Sequence, residues 1–82
     1  MVRIEWTKSA TKDLRKIPAI EKVRILVAVE RLAGWPVEGD VKAMKGKPGG
    51  RYRLRVGEYR VIFEVKDNVL IIRVATRGAA YE

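Results

Sequence analysis

The stretch Arg51-Tyr52-Arg53-Leu54-Arg55-Val56-Gly57-Glu58-Tyr59-Arg60-Val61-Ile62-Phe63 decides how this chain is read. Arginine alternates with apolar residues up to Gly57-Glu58, and the alternation resumes from Tyr59. A period of two is the mark of strands with one buried face. Gly57-Glu58 suits a two-residue type II′ turn, because glycine at the first central position accepts positive φ. That loop pairs Val56 with Tyr59, Arg55 with Arg60 and Arg53 with Ile62. A third strand, residues 69–76, follows Asp67-Asn68, read as another two-residue turn. On this register Tyr52, Leu54 and Val56, then Tyr59, Val61, Phe63 and Val65, then Leu70, Ile72 and Val74 face a core. Arg51, Arg53 and Arg55, then Arg60, Ile62 and Glu64, then Ile71, Arg73 and Ala75 lie on the other side.

Working back toward the N-terminus, residues 37–50 read as a basic loop, with Pro48-Gly49-Gly50 as turn punctuation. Residues 19–33 form a helix whose apolar positions Ile20, Val23, Ile25, Leu26, Val27, Val29 and Leu32 cover so wide a stripe that it is expected to be mostly buried. Gly34 is placed to end it, with Pro36 beyond. A shorter helix spans residues 8–17, capped by Thr7 or Ser9 and stopped by Pro18. Val2, Ile4 and Trp6 alternate with Arg3 and Glu5 as an opening strand. The order is β-α-α-β-β-β, an α+β fold with a mostly antiparallel sheet of about four strands and a two-helix hairpin on one face. The 82 residues are expected to form one domain, 1–82. Its expected core contains Trp6, Leu26, Val29, Leu54, Val61, Phe63 and Ile72.

Composition excludes several chemistries. With neither cysteine nor histidine, the chain can build no disulfide, no Cys/His metal site, no cysteine nucleophile and no Ser-His-Asp triad. Its carboxylates are scattered, so neither a metal nor another cofactor is expected. No apolar run is long enough to span a bilayer, no signal peptide is evident, and a cytoplasmic location is the default. The net charge is +8. Lys42, Lys45, Lys47, Arg51, Arg53, Arg55 and Arg60 face the single acid Glu58 within residues 42–60, which carry a net +6 of that total. Like charges opposite one another on a sheet repel. Concentrating them is sensible when a polyanion neutralises them, and guanidinium offers a planar fork of donors to phosphate. An acidic protein segment would suit the same surface.

The central stretch resembles the signature of the RelE/ParE toxin superfamily, and the element order is similar along essentially the whole chain. On the RelE-type branch the resemblance implies the toxin of a type II toxin–antitoxin system, a metal-independent, ribosome-dependent mRNA endoribonuclease. The RNA's own 2′-OH attacks the adjacent phosphate in the A site. The partners it implies are a cognate antitoxin, the ribosome and mRNA. Position by position, Arg53 and Arg55 correspond to the two basic residues near the attacking 2′-OH. Arg60 corresponds to the arginine on the scissile phosphate, Arg77 to the one assisting the leaving oxygen, and Tyr81 to the aromatic that stacks on the codon. Lys42, Lys45, Lys47, Arg51 and Arg73 are the expected RNA contacts around them. Arginine is a poor general base, since its pKa exceeds about 12, so charge stabilisation is the expected role of Arg53 and Arg55. The ParE branch implies a different outcome, inhibition of DNA gyrase by protein binding, and a plain RNA-binding module is a third reading.

Overall fold

The computed structural model describes residues 2–44 and 50–78. The elements follow the expected order with one addition: β1 (Ile4–Trp6), α1 (Lys8–Arg15), α2 (Ala19–Glu30), a 3₁₀ turn (Arg31–Gly34), β2 (Val41–Ala43), β3 (Arg51–Val56), β4 (Tyr59–Val65) and β5 (Val69–Thr76). The five strands form one sheet in the order β1-β5-β4-β3-β2. All neighbours are antiparallel except β1 and β5, which run parallel. The added strand is β2, three residues inside the stretch expected to be loop, which pairs Val41 with Leu54 and Ala43 with Tyr52.

The β3–β4 hairpin has the register that the turn dictates: Val56 pairs with Tyr59, Arg55 with Arg60 and Arg53 with Ile62. Gly57 has φ +58°, and among the described residues no other residue type takes positive φ. Glu58 therefore stays at negative φ, which a type II′ turn allows and a type I′ turn does not. The β4–β5 connection departs from expectation and then recovers. Val65 pairs with Val69, so the loop is three residues long, Lys66 to Asn68, rather than two. A bulge between the Phe63–Ile71 and Ile62–Arg73 pairs then absorbs Ile72, and from there the expected pairing of Arg60 with Ala75 holds. Near the loop Val69 and Ile71 consequently point into the core where Leu70 and Ile72 had been expected, while Val74 is buried as expected.

The core joins Ala10, Ile17, Ile25, Val29 and Leu32 from the helical layer to Leu54, Val61, Phe63, Val69, Ile71 and Val74 from the sheet. Trp35 extends it edge-on against Tyr52 and Phe63, with ring centroids at 4.8 and 5.5 Å. Trp6 is only half-buried at the rim. Leu26, expected inside, is exposed, and so are Ile20, Val23 and Val27. The reason is geometric. At 100° per residue Ile25 and Val29 share one side of α2, and Leu32 of the following 3₁₀ turn is buried with them, while Ile20, Val23 and Val27 lie on the opposite side. A helix lays one side on a sheet, and nothing in the described chain stacks on the other.

Thr7 ties the layers together. Its hydroxyl oxygen accepts from the Ala10 N–H at 3.1 Å, capping α1, and its hydroxyl donates to the Ile72 carbonyl at 2.8 Å. The strand that carries the bulge is thereby fastened to the start of the helical hairpin.

Candidate anion-binding groove

Two rows of side chains cross the sheet face that the helices leave uncovered. Pairing puts Lys42 beside Arg53, Arg53 beside Ile62 and Ile62 beside Arg73. In the next row Asp40 lies beside Arg55, whose N–H donates to the Asp40 carbonyl at 2.8 Å, then Arg60, then Ala75. Past the turn, the Arg77 N–H donates to the Glu58 carbonyl at 2.8 Å, which brings Arg77 beside the same turn. Between these rows opens a groove of about 450 Å³, lined by Gly39, Asp40, Val41, Lys42, Arg53, Arg55, Arg60 and Arg77. That volume falls among ligand-sized clefts, roughly 300–1,000 Å³. Five cations and one carboxylate face the space.

Arg60 is the unusual member. It is 7% exposed, and it is the buried charged residue of the described chain. Its Nη1 donates to the Gly57 and Tyr59 carbonyls at 2.8 and 2.9 Å. The type II′ turn therefore does more than reverse the chain, because it turns two carbonyl oxygens onto the guanidinium. Those bonds use both Nη1 hydrogens. Nε and Nη2 have no partner among the described residues and remain as donors for an anion. A buried cation without a carboxylate is costly to keep unless a ligand completes it.

Arg55 is half satisfied within the groove, since its Nη2 donates to Asp40 Oδ1 at 2.6 Å. Arg53 and Lys42 face each other across β3 and β2. Two of the expected RNA contacts lie elsewhere. Arg51 donates through Nε and Nη2 to Oε2 of Glu64, directly across the β3–β4 ladder. Arg73 clamps Asp13 of α1 with Nε and Nη2 at 2.8 and 3.1 Å. The Val74 N–H adds a third bond to that carboxylate at 2.9 Å. Burial pushes the Asp13 carboxyl upward, but the Arg73 guanidinium and the Val74 N–H outweigh it and hold it below the ordinary carboxylate range. Both arginines are matched one-to-one by acids and fasten the fold. Lys45, Lys47 and Tyr81 lie outside the described residues.

Asp40 is the groove residue that the sequence concealed. Asp40 follows Glu38 at the start of a basic loop and carries no signal until β2 brings it beside Arg55. The available clue was the alternation of Val41, Lys42 and Ala43 after Gly39, a strand too short to stand out.

A mixed sheet backed by a helical hairpin, with a cationic groove at the turn end of its central hairpin, defines a small basic α+β protein equipped to hold an anion. A family model described as the ParE toxin of the type II toxin–antitoxin system, parDE, matches residues 4–81. Toxin RelE3 of Methanocaldococcus jannaschii is 30% identical over 86 residues, covering 99% of this chain and 97% of that protein. Among solved structures, the RelB–RelE antitoxin–toxin complex of Methanococcus jannaschii matches at 31% identity and TM-score 0.79, covering 94% of each chain. The archaeal RelE–RelB complex of Pyrococcus horikoshii matches at 30% identity and TM-score 0.80, covering 94% of this chain and 96% of that one. The chain belongs to the RelE/ParE toxin superfamily, on its RelE-type branch, and is a toxin of a toxin–antitoxin system.

Proposed function

We propose that this toxin is a ribosome-dependent mRNA endoribonuclease that cuts in the A site by promoting attack of a 2′-OH on the adjacent phosphate. The observation that carries the reading is Arg60, a buried guanidinium pinned by two carbonyls with its remaining donors unclaimed by the described chain. Charge builds on the phosphate as the 2′ oxygen attacks, and a cation fixed before the reaction stabilises that charge without reorganising. Arg53, Arg55 and Arg77 line the same groove and add to the field. Arg77 is assigned to the departing 5′ oxygen and Tyr81 to stacking on the codon. Lys42, Lys45 and Lys47 are assigned to the flanking RNA backbone. The proposed chemistry asks for no metal, because the RNA's own 2′-OH is the nucleophile and guanidinium groups can stabilise the charge that builds on the phosphate.

The antitoxin, on this reading, is a segment with both acidic and apolar residues. Acids answer the groove, and the exposed Ile20, Val23 and Val27 stripe of α2 offers an apolar seat beside exposed Arg24 and Lys16. The matched archaeal structures are complexes with RelB antitoxins, which supports a partner of this kind. The toxin would act where ribosomes are, in the cytoplasm.

Purified toxin added to ribosomes programmed with a defined A-site codon should cut the message, leaving a 2′,3′-cyclic phosphate and a 5′-hydroxyl. The ParE description of the matching family model favours a second assay in parallel, gyrase supercoiling. Intact mRNA together with inhibited gyrase would move the toxin to the ParE mode of action.

A further inference from the structure

The endoribonuclease reading leaves one requirement unassigned. Something must accept the proton of the attacking 2′-OH, and the groove is made largely of groups that cannot. Arginine stays protonated, and lysine at neutral pH is an ammonium that donates but does not accept. Among the described lining residues the carboxylate of Asp40 is the one side chain able to take a proton.

Asp40 is also held in place. Its backbone carbonyl accepts from the Arg55 N–H at 2.8 Å, and its Oδ1 accepts from Arg55 Nη2 at 2.6 Å. Two contacts with one residue of a central strand fix a carboxylate that would otherwise sit at the end of a loop. Oδ2 has no partner among the described residues, and the side chain is half-exposed toward the groove. The charged groups around it are Arg53 and Arg55 from β3, Lys42 from β2, Arg60 from β4 and Arg77 beyond β5. An Arg60-bound phosphate would lie one strand away from Asp40, since Arg55 is the direct neighbour of both.

We propose, resting on the endoribonuclease reading, that Asp40 is the general base of the cleavage, with Arg55 as its positioning residue. Oδ2 takes the proton from the 2′-OH, and the 2′ oxygen forms its bond to phosphorus. The bond from phosphorus to the 5′ oxygen breaks, its electron pair leaves on that oxygen, and the oxygen takes up a proton from solvent. Asp40 then returns its own proton to solvent. No oxidant, metal or co-reactant is consumed.

A carboxylate that merely neutralised Arg55 would predict the opposite sign, because removing it would free a cation for RNA. Asp40→Asn separates the two roles, since asparagine still offers Arg55 an oxygen acceptor but cannot take a proton. Single-turnover cleavage on programmed ribosomes should fall about 100-fold or more at neutral pH, with ribosome binding unchanged or tighter. Wild-type cleavage should be level between about pH 6 and 8, whereas the Asn variant should rise roughly tenfold per pH unit as hydroxide replaces the lost base. Asp40→Glu should keep the level profile at a reduced rate. An Asn variant that cuts at the wild-type rate or faster overturns the proposal. A slow Asn variant with a level profile also overturns it, leaving Asp40 only a support for Arg55. A wild-type protein that leaves mRNA intact defeats the endoribonuclease reading itself, before any variant is compared.

Discussion

Arg60 and Arg73 sit on adjacent strands of one sheet face, and the chain treats them in opposite ways. Arg73 is exposed, yet Asp13 takes it in a two-pronged grip and the Val74 N–H completes the carboxylate. Arg60 is buried, yet among the described residues its hydrogen bonds go to two carbonyl oxygens and to no carboxylate. If charge placement served stability alone, the buried guanidinium would hold the carboxylate and the exposed one would rely on water. The inversion separates the corner that fastens α1 to β5 from the end of the hairpin that is left wanting an anion.

The contrast can be broken at four points. Phe63 underlies both regions and is fully buried. Phe63→Ala should cost about 3–5 kcal/mol in denaturant unfolding and weaken both corners together; a loss under about 1 kcal/mol would mean that the aromatic cluster does not support the sheet. At the functional corner, Arg60→Ala should lower single-turnover cleavage on the order of 10²–10³-fold while ribosome binding persists. Arg53→Ala should cost less, because Arg55 covers part of the same field. Wild-type cleavage by Arg60→Ala would remove Arg60 from the chemistry and dissolve the contrast.

At the structural corner, Asp13→Ala should leave cleavage intact and cost about 1–3 kcal/mol of stability at neutral pH. The pH dependence has a definite direction. The Asp13 carboxyl is held below its ordinary range in the folded state. Its contribution is therefore complete above the unfolded value of about 3.9 and is lost as pH falls through the lower folded value. Wild-type and variant unfolding curves should converge in strong acid, and a gap that widens there would contradict the clamp. The smallest effect concerns salt. Antitoxin affinity should decline as ionic strength rises, because surface charges are screened, and Asp13→Ala should leave that slope unchanged. A complex indifferent to salt would put the antitoxin wholly on the apolar side of α2.

The β3–β4 hairpin was legible in the sequence because Gly57-Glu58 admits one tight geometry and every pairing follows from it. The gathering of Arg53, Arg55 and Arg60 was legible for the same reason, while Arg77 came from the family resemblance, and the bulge in β5 restores the pairing that brings it near Arg60. Three features were not. Strand β2 is three residues long, and its pairing comes from β3, not from its own pattern. The apolar residues of α2 surround the helix, so periodicity could not say that Ile20, Val23 and Val27 face outward. Asp40 acquires meaning only from a contact fifteen positions away.

The three-residue loop and the bulge at Ile72 have a consequence for how the chain tolerates change in length. Val69-Leu70-Ile71-Ile72 are all aliphatic, so either alternate pair can fill the core. With one of Lys66, Asp67 or Asn68 deleted, Val69 would slip into the loop, Val65 would pair with Leu70 in place of Val69, and Ile72 would join the ladder, turning Leu70 and Ile72 inward. Arg73 and everything beyond it would stay in place. The bulge is slack stored in the middle of a strand, and it insulates the groove from insertions and deletions at the distal tip.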